Sequence, residues 1–381
     1  MSEIQPIIMP KWGLSMEEGT LTAWLVQDRS QIEKGQEIAE IETTKIANVF
    51  ESPVSGNLRR IIARPGDVVP VGALLAVLAP PSVPDSEIDG FVAGFVVEVS
   101  TDPDAAAGVV AERRMERNGR TLVYKAAGAQ SAATPVVLIH GFGGDSDNWL
   151  FNIEEIAKDR PVYALDLPGH GKSTKTLAGG HLGELADAVV DLFHEVGAAK
   201  AHLVGHSLGA AVAFQLLADR PERVASIVGL APAGLDDRIH PDYVDGLIAA
   251  EKRKDVKVAL QLLFADPSLV SAQMVEGVQR FKRLEGAAEA LRAIGERNLP
   301  SGRQTANFRN LVGEERVPTL VIWGDCDAIL DPAAAQGLPS SVEVIRLQDV
   351  GHMPHMEAAR TVNHHLSRHF DAVDRRNPSG E

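Results

Sequence analysis

At 381 residues, with 45% hydrophobic and 23% charged side chains, the chain has room for two or three domains that each bury a core. A net charge of −15 argues against nucleic acid or an anionic membrane as a partner, because both select basic surfaces. Cys326 is the only cysteine, which excludes an internal disulfide and suits a reducing cytoplasm.

The stretch up to Pro10 has neither the basic region nor the sustained apolar core of a signal peptide. No apolar run approaches the ~20 residues of a membrane helix, so a soluble cytoplasmic protein is expected. Residues 19–41 then align without a gap on residues 56–78. Gly19 meets Gly56, Leu21 meets Leu58, Gly35 meets Gly72, Ile38 meets Leu75 and Ala39 meets Ala76. Each copy reads as short strands joined by turns. Two copies are too few for a solenoid. They predict a small β-sandwich with pseudo-twofold symmetry, each half covering the apolar face of the other.

Between the copies, Ile41-Glu42-Thr43-Thr44-Lys45-Ile46-Ala47 reads as a polar hairpin tip, which places Lys45 in solvent. Taken alone, Lys45 is an ordinary surface lysine. The tip occurs together with an opening Met9-Pro10-Lys11-Trp12-Gly13-Leu14-Ser15-Met16-Glu17-Glu18-Gly19 and a closing Pro53-Val54-Ser55-Gly56. In that combination it resembles a lipoyl domain over about residues 4–78. The resemblance implies lipoate in amide linkage on Lys45. Arg29 departs from it, standing where the second copy has Gly66 and the family has glycine. A locally altered turn is expected there, without loss of the fold.

Residues 79–87 carry Pro80, Pro81 and Pro84 and read as a semi-rigid extended linker spanning roughly 28 Å. From 88 to 99 the apolar spacing suits a helix, but Gly90, Gly94 and the valines oppose one, leaving a helix, a docking element or a buried connector open. From Glu112 the chain restarts as a sheet, with Asn118-Gly119 suited to a type I′ hairpin turn. Val136–Ile139 reads as a buried parallel strand. Strands and helices then alternate through Val162–Leu165, residues 182–196, residues 201–204, a helix after Ser207 and Val224–Leu230. Such alternation predicts an α/β sheet covered by helices on both faces. Residues 236–311 show helical stretches and no strand, as a lid would. The sheet resumes at 319–323 and 342–347. The expected division is a lipoyl domain (1–79), a Pro-containing linker and connector (80–111), an α/β domain (112–372) with a helical lid over about 236–315, and a disordered tail (373–381).

The chemistry centres on Val204-Gly205-His206-Ser207-Leu208-Gly209, set between an apolar strand and an Ala-rich helix. Gly-x-Ser-x-Gly at a strand-to-helix turn is a nucleophile elbow: the turn tolerates only small flanking residues and lifts the serine hydroxyl clear. The Leu208 amide, at a helix N-terminus, can donate to an oxyanion. The loop His140-Gly141-Phe142-Gly143-Gly144 follows a strand, and its Phe142 amide is placed as a second donor. His352, after the last strand, is the candidate base; its rival His355 is expected to pack into the start of the next helix. The acid is Asp325, Asp327 or Asp331.

Several patterns are decoys. Gly171-Lys172-Ser173 lacks the first glycine of a P-loop. His365 and His369 sit at metal-ligand spacing without a partner and read as a solvated helix face. Cys326, between two aspartates, makes a poor nucleophile. His240-Pro241-Asp242-Tyr243-Val244-Asp245-Gly246 has one residue too many for the motif of the usual 2-oxo acid dehydrogenase acyltransferases.

With Asp166-Leu167-Pro168-Gly169-His170-Gly171-Lys172-Ser173 and Trp323-Gly324-x-x-Asp327, residues 112–370 resemble the α/β-hydrolase superfamily. Its pattern places the acid four residues after the tryptophan, which implies Asp327. The pairing of the two domains resembles the family of dihydrolipoamide acetyltransferase components of acetoin dehydrogenase complexes. It implies transfer of acetyl from lipoyl-Lys45 to coenzyme A. It also implies two partners, a thiamine-diphosphate-dependent acetoin dehydrogenase component and a flavin-dependent dihydrolipoamide dehydrogenase. Two other classes are a hydrolase with water as acceptor, and a lipoyl carrier on an idle scaffold.

Overall fold

The computed structural model describes residues 4–10, 18–42, 47–95, 110–128, 131, 133–313 and 317–376. The chain forms two compact units, one built mainly from its first hundred residues and the other from most of the remainder.

The first unit is two four-stranded sheets. Strands β1 (Gln5–Ile8), β8 (Leu74–Leu78), β6 (Gly56–Ile61) and β3 (Gln31–Ile32) form one. Strands β5 (Ala47–Glu51), β4 (Glu37–Glu42), β2 (Glu18–Trp24) and β7 (Val68–Pro70) form the other. Each repeat lends a strand to the sheet of the other, and paired bonds mark the exchange: Leu21 N donates to Asp67 O (3.0 Å) and Leu58 N to Ser30 O (2.9 Å). Inward residues such as Ile7, Leu21, Ile41, Leu58 and Leu75 form one core. In the β4–β5 ladder Glu42 pairs with Ala47. Lys45, between them, lies outside the described residues, as do residues 11–17 of the opening motif.

Two expectations need correction. Arg29 does not alter its turn. Its φ of 65° matches the positive φ of Gly66, and Ser30 N reaches Gln27 O (3.2 Å) as Asp67 N reaches Arg64 O (3.0 Å). The turn is kept, with Arg29 in a left-handed backbone conformation that glycine adopts more freely. Nor is 79–87 an extended linker throughout, because helix α1 (Asp85–Gly94) begins inside it. Its Ile88, Phe91 and Val92, with Phe95, pack on Leu74, Val77 and Ile62 on the outer face of a sheet. Repeat divergence explains the one-sidedness: Leu74 and Val77 align with Glu37 and Glu40, which are exposed. Burial of Ile88, worth about 2–3 kcal/mol, with the ion pairs Arg59–Asp85 and Arg60–Asp89, outweighs the glycines. Residues 88–94 thus belong to a helix with Ile88 buried and Phe91 and Val92 half-buried against the sheet; residues 96–99 lie outside the described residues.

The second unit is an eight-stranded sheet of β9 (Ala111–Arg117), β10 (Arg120–Ala127), β11 (Val136–Ile139), β12 (Val162–Leu165), β13 (Ala201–His206), β14 (Val224–Leu230), β15 (Thr319–Gly324) and β16 (Glu343–Leu347). Their order is β16-β15-β14-β13-β11-β12-β10-β9. Strands β11 to β16 run parallel, and β10 is antiparallel to both β9 and β12. The β9–β10 turn has positive φ at Asn118 and Gly119, as type I′ requires. Helices α2 (Ile153–Ala157), α3 (Leu182–Glu195) and α4 (Leu208–Asp219) alternate with the strands. Between β14 and β15 the described residues form helices α5 (Pro241–Ala249), α6 (Arg253–Gln261), α7 (Ala272–Lys282) and α8 (Ala287–Asn298), with short 3-10 turns. Helices α9 (Pro354–Glu357) and α10 (Ala359–Arg376) end the described chain. The expected tail is corrected over 373–376, which continue α10 with Val373 buried. Residues 377–381 lie outside the described residues. No helix described is long and apolar enough to cross a membrane.

The αL conformation costs a non-glycine residue about 1–2 kcal/mol, partly offset by the greater freedom of an unfolded glycine. Arg29→Gly should therefore stabilise the first unit by about 0.5–1 kcal/mol, read as slower hydrogen exchange of the β2 and β6 amides in the intact chain.

Candidate active site

All the candidate groups lie just beyond the carboxyl ends of parallel strands, the usual ligand edge of an open α/β sheet. Ser207 follows β13 and precedes α4 with φ 50° and ψ −117°, a conformation that a non-glycine residue holds only under constraint from its surroundings. The close approach of strand and helix explains the flanking glycines. A Cβ on Gly205 would lie 2.4 Å from Ala210 N, and one on Gly209 would lie 2.1 Å from Ile139 O. Leu208 opens α4, so its N–H has no intrahelical acceptor. The Phe142 N–H has no acceptor among the described residues either.

His352 and Asp327 come together. Nδ1 of His352 donates to Asp327 Oδ2 at 2.8 Å, with both side chains buried. Trp323 Nε1 donates to the same oxygen at 2.8 Å, and the Ile329 and Leu330 amides donate to Oδ1 at 2.8 and 3.0 Å. This carboxylate is fully committed and fixes the imidazole tautomer. Asp325 instead takes the Arg346 guanidinium (2.6 Å), and Asp331 caps the Ala333 amide (2.8 Å). With Nδ1 donating, Nε2 of His352 carries the lone pair. It is buried and has no hydrogen-bond partner among the described residues.

The backbone of His352 is held from several directions. Its N–H donates to Leu263 O (2.9 Å), and its carbonyl accepts from His206 Nε2 (2.8 Å). Glu357 accepts from the Gly351 and Met353 amides (both 3.1 Å) and from Ala265 N (2.8 Å). Burial raises the Glu357 pKa against these bonds. His355 lies in α9, stacked between Trp149 and His206 at 4.6 Å from each ring, and burial lowers its pKa to about 3. His140, His170 and His206 are likewise pushed down by burial. Four neutral imidazoles therefore surround the site. Sequence reading missed His206, Tyr243 and Glu357 as contributors; the His352 carbonyl that His206 meets, the Phe142 carbonyl that Tyr243 meets and the Ala265 amide that Glu357 meets are all remote in the chain.

The decoys resolve structurally. Asp166 fills the Gly171–Lys172 turn, accepting from Lys172 N (2.8 Å), so no phosphate cradle forms. Among the described residues no group of His, Cys, Asp or Glu could hold a metal. His369 needs correction, since it is buried, not solvated. Near it, His202 bridges Ser226 Oγ (2.8 Å) and Asp374 Oδ1 (3.1 Å), both ring nitrogens engaged. In this Ser-His-Asp relay Ser226 and His202 are fully buried and Asp374 is half-buried, and it tethers α10 to the sheet.

The biotin/lipoyl family (described as biotin-requiring enzyme) matches residues 5–78, and the α/β-hydrolase fold family matches residues 134–359. A meta-cleavage product hydrolase from Pseudomonas fluorescens shares the latter fold, with a TM-score of 0.62 at 19% identity over 68% of this chain and 98% of that one. The protein is thus a carrier-type unit joined to an α/β-hydrolase fold. More particularly, it is 44% identical to the dihydrolipoyllysine-residue acetyltransferase component of the acetoin cleaving system of Cupriavidus necator, over 96% of this chain and 97% of that one. The counterpart from Pseudomonas putida is 45% identical over 96% and 98%. The chain belongs to this family of acetyltransferase components.

Burial works to raise the Asp374 pKa, but hydrogen bonds from His202, Arg160 and Thr134 outweigh it and hold the carboxylate below its usual range. A depressed carboxylate stabilises the fold above its unfolded pKa, and the gain is lost as pH falls. Asp374→Asn should cost about 2 kcal/mol at pH 7, with the gap to wild type closing below about pH 4 in urea unfolding.

Proposed function

We propose that the protein moves an acetyl group from S-acetyl-dihydrolipoyl-Lys45 to coenzyme A through an acyl-enzyme on Ser207. The observation that carries this reading is the buried, lone-paired Nε2 of His352, locked by Asp327 at the turn of a serine elbow on a chain that also bears a carrier unit. A lysine between paired strands fits lipoate chemically: its primary amine forms the amide, and the β4–β5 ladder brackets it at Glu42 and Ala47. Bound there, the group supplies a dithiol that carries acetyl as a thioester.

His352 takes the Ser207 proton as the serine oxygen attacks the thioester carbonyl. The Phe142 and Leu208 amides face the charge that develops on the carbonyl oxygen, a stabilisation worth roughly 10²–10³ in rate per donor. The C–S bond breaks, and His352 returns the proton to the departing sulfur. In the second half His352 takes the proton of the coenzyme A thiol, whose sulfur attacks the serine ester. The ester C–O bond then breaks, and the proton returns to Ser207. Asp327 holds the imidazole and steadies its charged form throughout. The lid helices exclude water as a competing acceptor. The protein works in the cytoplasm with a thiamine-diphosphate-dependent component that loads the acetyl group and a dihydrolipoamide dehydrogenase that reoxidises the dithiol.

Ser207→Ala should leave acetylation of the Lys45 arm intact and cut acetyl-CoA formation at least about 10³-fold. Acetyl-CoA at the wild-type rate would exclude the serine mechanism, and free acetate made equally with and without coenzyme A would make water the acceptor. Asp327→Asn should lower kcat about 10⁴-fold with the fold retained, because the amide favours the wrong imidazole tautomer; steady-state kinetics and circular dichroism check both parts.

A further inference from the structure

Tyr243 takes no part in the steps above, yet its position is unusually constrained. It lies in α5 of the lid, 4% exposed. Its hydroxyl donates to the Phe142 carbonyl oxygen at 2.9 Å. The Tyr243 ring meets the Phe142 ring edge-on at 6.5 Å and lies 6.4 Å from the His352 ring. Burial pushes the phenol pKa upward, so the hydroxyl remains a donor throughout the neutral range.

The loop that carries Phe142 is bare of side chains on either side, with Gly141, Gly143 and Gly144 around it. Such a segment has many backbone conformations open to it. Only one of them aims the Phe142 N–H at the oxygen bonded to the carbon that Ser207 attacks. Within the loop, Gly144 N reaches Gly141 O (3.1 Å), and His140 Nδ1 bonds the same oxygen (2.8 Å). These bonds fix its first residue. The Phe142 carbonyl accepts from Tyr243. The lid also presses on the loop: a Cβ on Gly143 would strike Leu247 of α5 at 2.5 Å, and one on Gly295 of α8 would lie 3.5 Å from the Phe142 ring. The other half of the site is tied to the lid as well, through Leu263 O and the Ala265 amide that binds Glu357. Lid segments thus hold both the loop that meets the carbonyl oxygen and the turn that presents the base.

We propose that Tyr243 is a positioning residue for acyl transfer, through whose hydroxyl lid helix α5 holds the Phe142 amide on the developing oxyanion. The proposal rests on Ser207 as nucleophile and Phe142 as oxyanion donor. A hydroxyl that merely satisfied a buried polar group would affect stability alone. One that aims a donor affects the transition state and leaves ground-state binding unchanged.

Tyr243→Phe in the full-length lipoylated protein removes one oxygen and keeps the ring. Two readouts apply: kcat and KM for acetyl transfer, and the second-order rate constant for labelling of Ser207 by a fluorophosphonate. The label needs neither lipoate nor coenzyme A, and a rate constant does not depend on how much of the sample is folded. Complete loss of an oxyanion donor costs roughly 10²–10³, so a misaimed one should lower both kcat and the labelling constant about 10-fold, with KM within about twofold. Labelling and kcat at wild-type values, or a rise confined to KM, would overturn the proposal even where the melting temperature falls. If the wild-type protein is not labelled at Ser207, the serine mechanism itself fails, an outcome distinct from equal labelling of wild type and Tyr243→Phe.

Discussion

The backbone at Ser207 is bent into a region that L-residues avoid, and the rest of the site follows from that bend. The strain persists because α4 lies too close to β13 to admit a side chain at Gly205, and too close to the end of β11 to admit one at Gly209, so the turn cannot relax without separating strand from helix. Three consequences come from one constraint. The serine is carried past the sheet edge, the Leu208 amide becomes the open end of a helix, and His206 reaches the segment that follows the last strand. There His206 meets the His352 carbonyl. The elbow and the segment that carries His352 are therefore joined through a backbone carbonyl.

Charge is managed by exclusion. His140, His170, His206 and His355 are buried, and desolvation holds each of them in the neutral form. His352 differs from these four in facing a carboxylate, and that carboxylate is itself fixed by an indole and two amides. His352 thus lies near two carboxylates, Asp327 through a hydrogen bond and Glu357 electrostatically, among imidazoles held neutral. The cost is a set of buried ring nitrogens without partners, which the fold carries in exchange for a polar, uncharged surround.

The residues that act locally were legible in the sequence. The elbow, the Phe142 loop and strands such as Val136–Ile139 and Val162–Leu165 follow from composition at fixed spacing. The acid was open among Asp325, Asp327 and Asp331 from chemistry alone; the family spacing pointed to Asp327, which is the one that meets His352. What resisted reading depends on contacts distant in the chain. Gly90 and Gly94 argue against a helix, but α1 forms because Leu74 and Val77 lie ready to receive Ile88. His369 has the spacing of a surface pair and is buried beneath packing that no local pattern discloses. Tyr243 sat in view only as part of a failed motif, and its partner lies a hundred residues earlier.

The unequal outer faces of the first unit have one more consequence. Its two halves share a strand plan marked by matches such as Gly19 with Gly56 and Leu21 with Leu58, so a visitor could in principle approach either sheet in the same manner. With α1 seated across Leu74 and Val77, one flank is spoken for, while the glutamates at 37 and 40 leave its counterpart open and anionic. A repeated strand plan makes a nearly symmetrical module, and differences such as Glu37 against Leu74 and Glu40 against Val77 give it a front and a back.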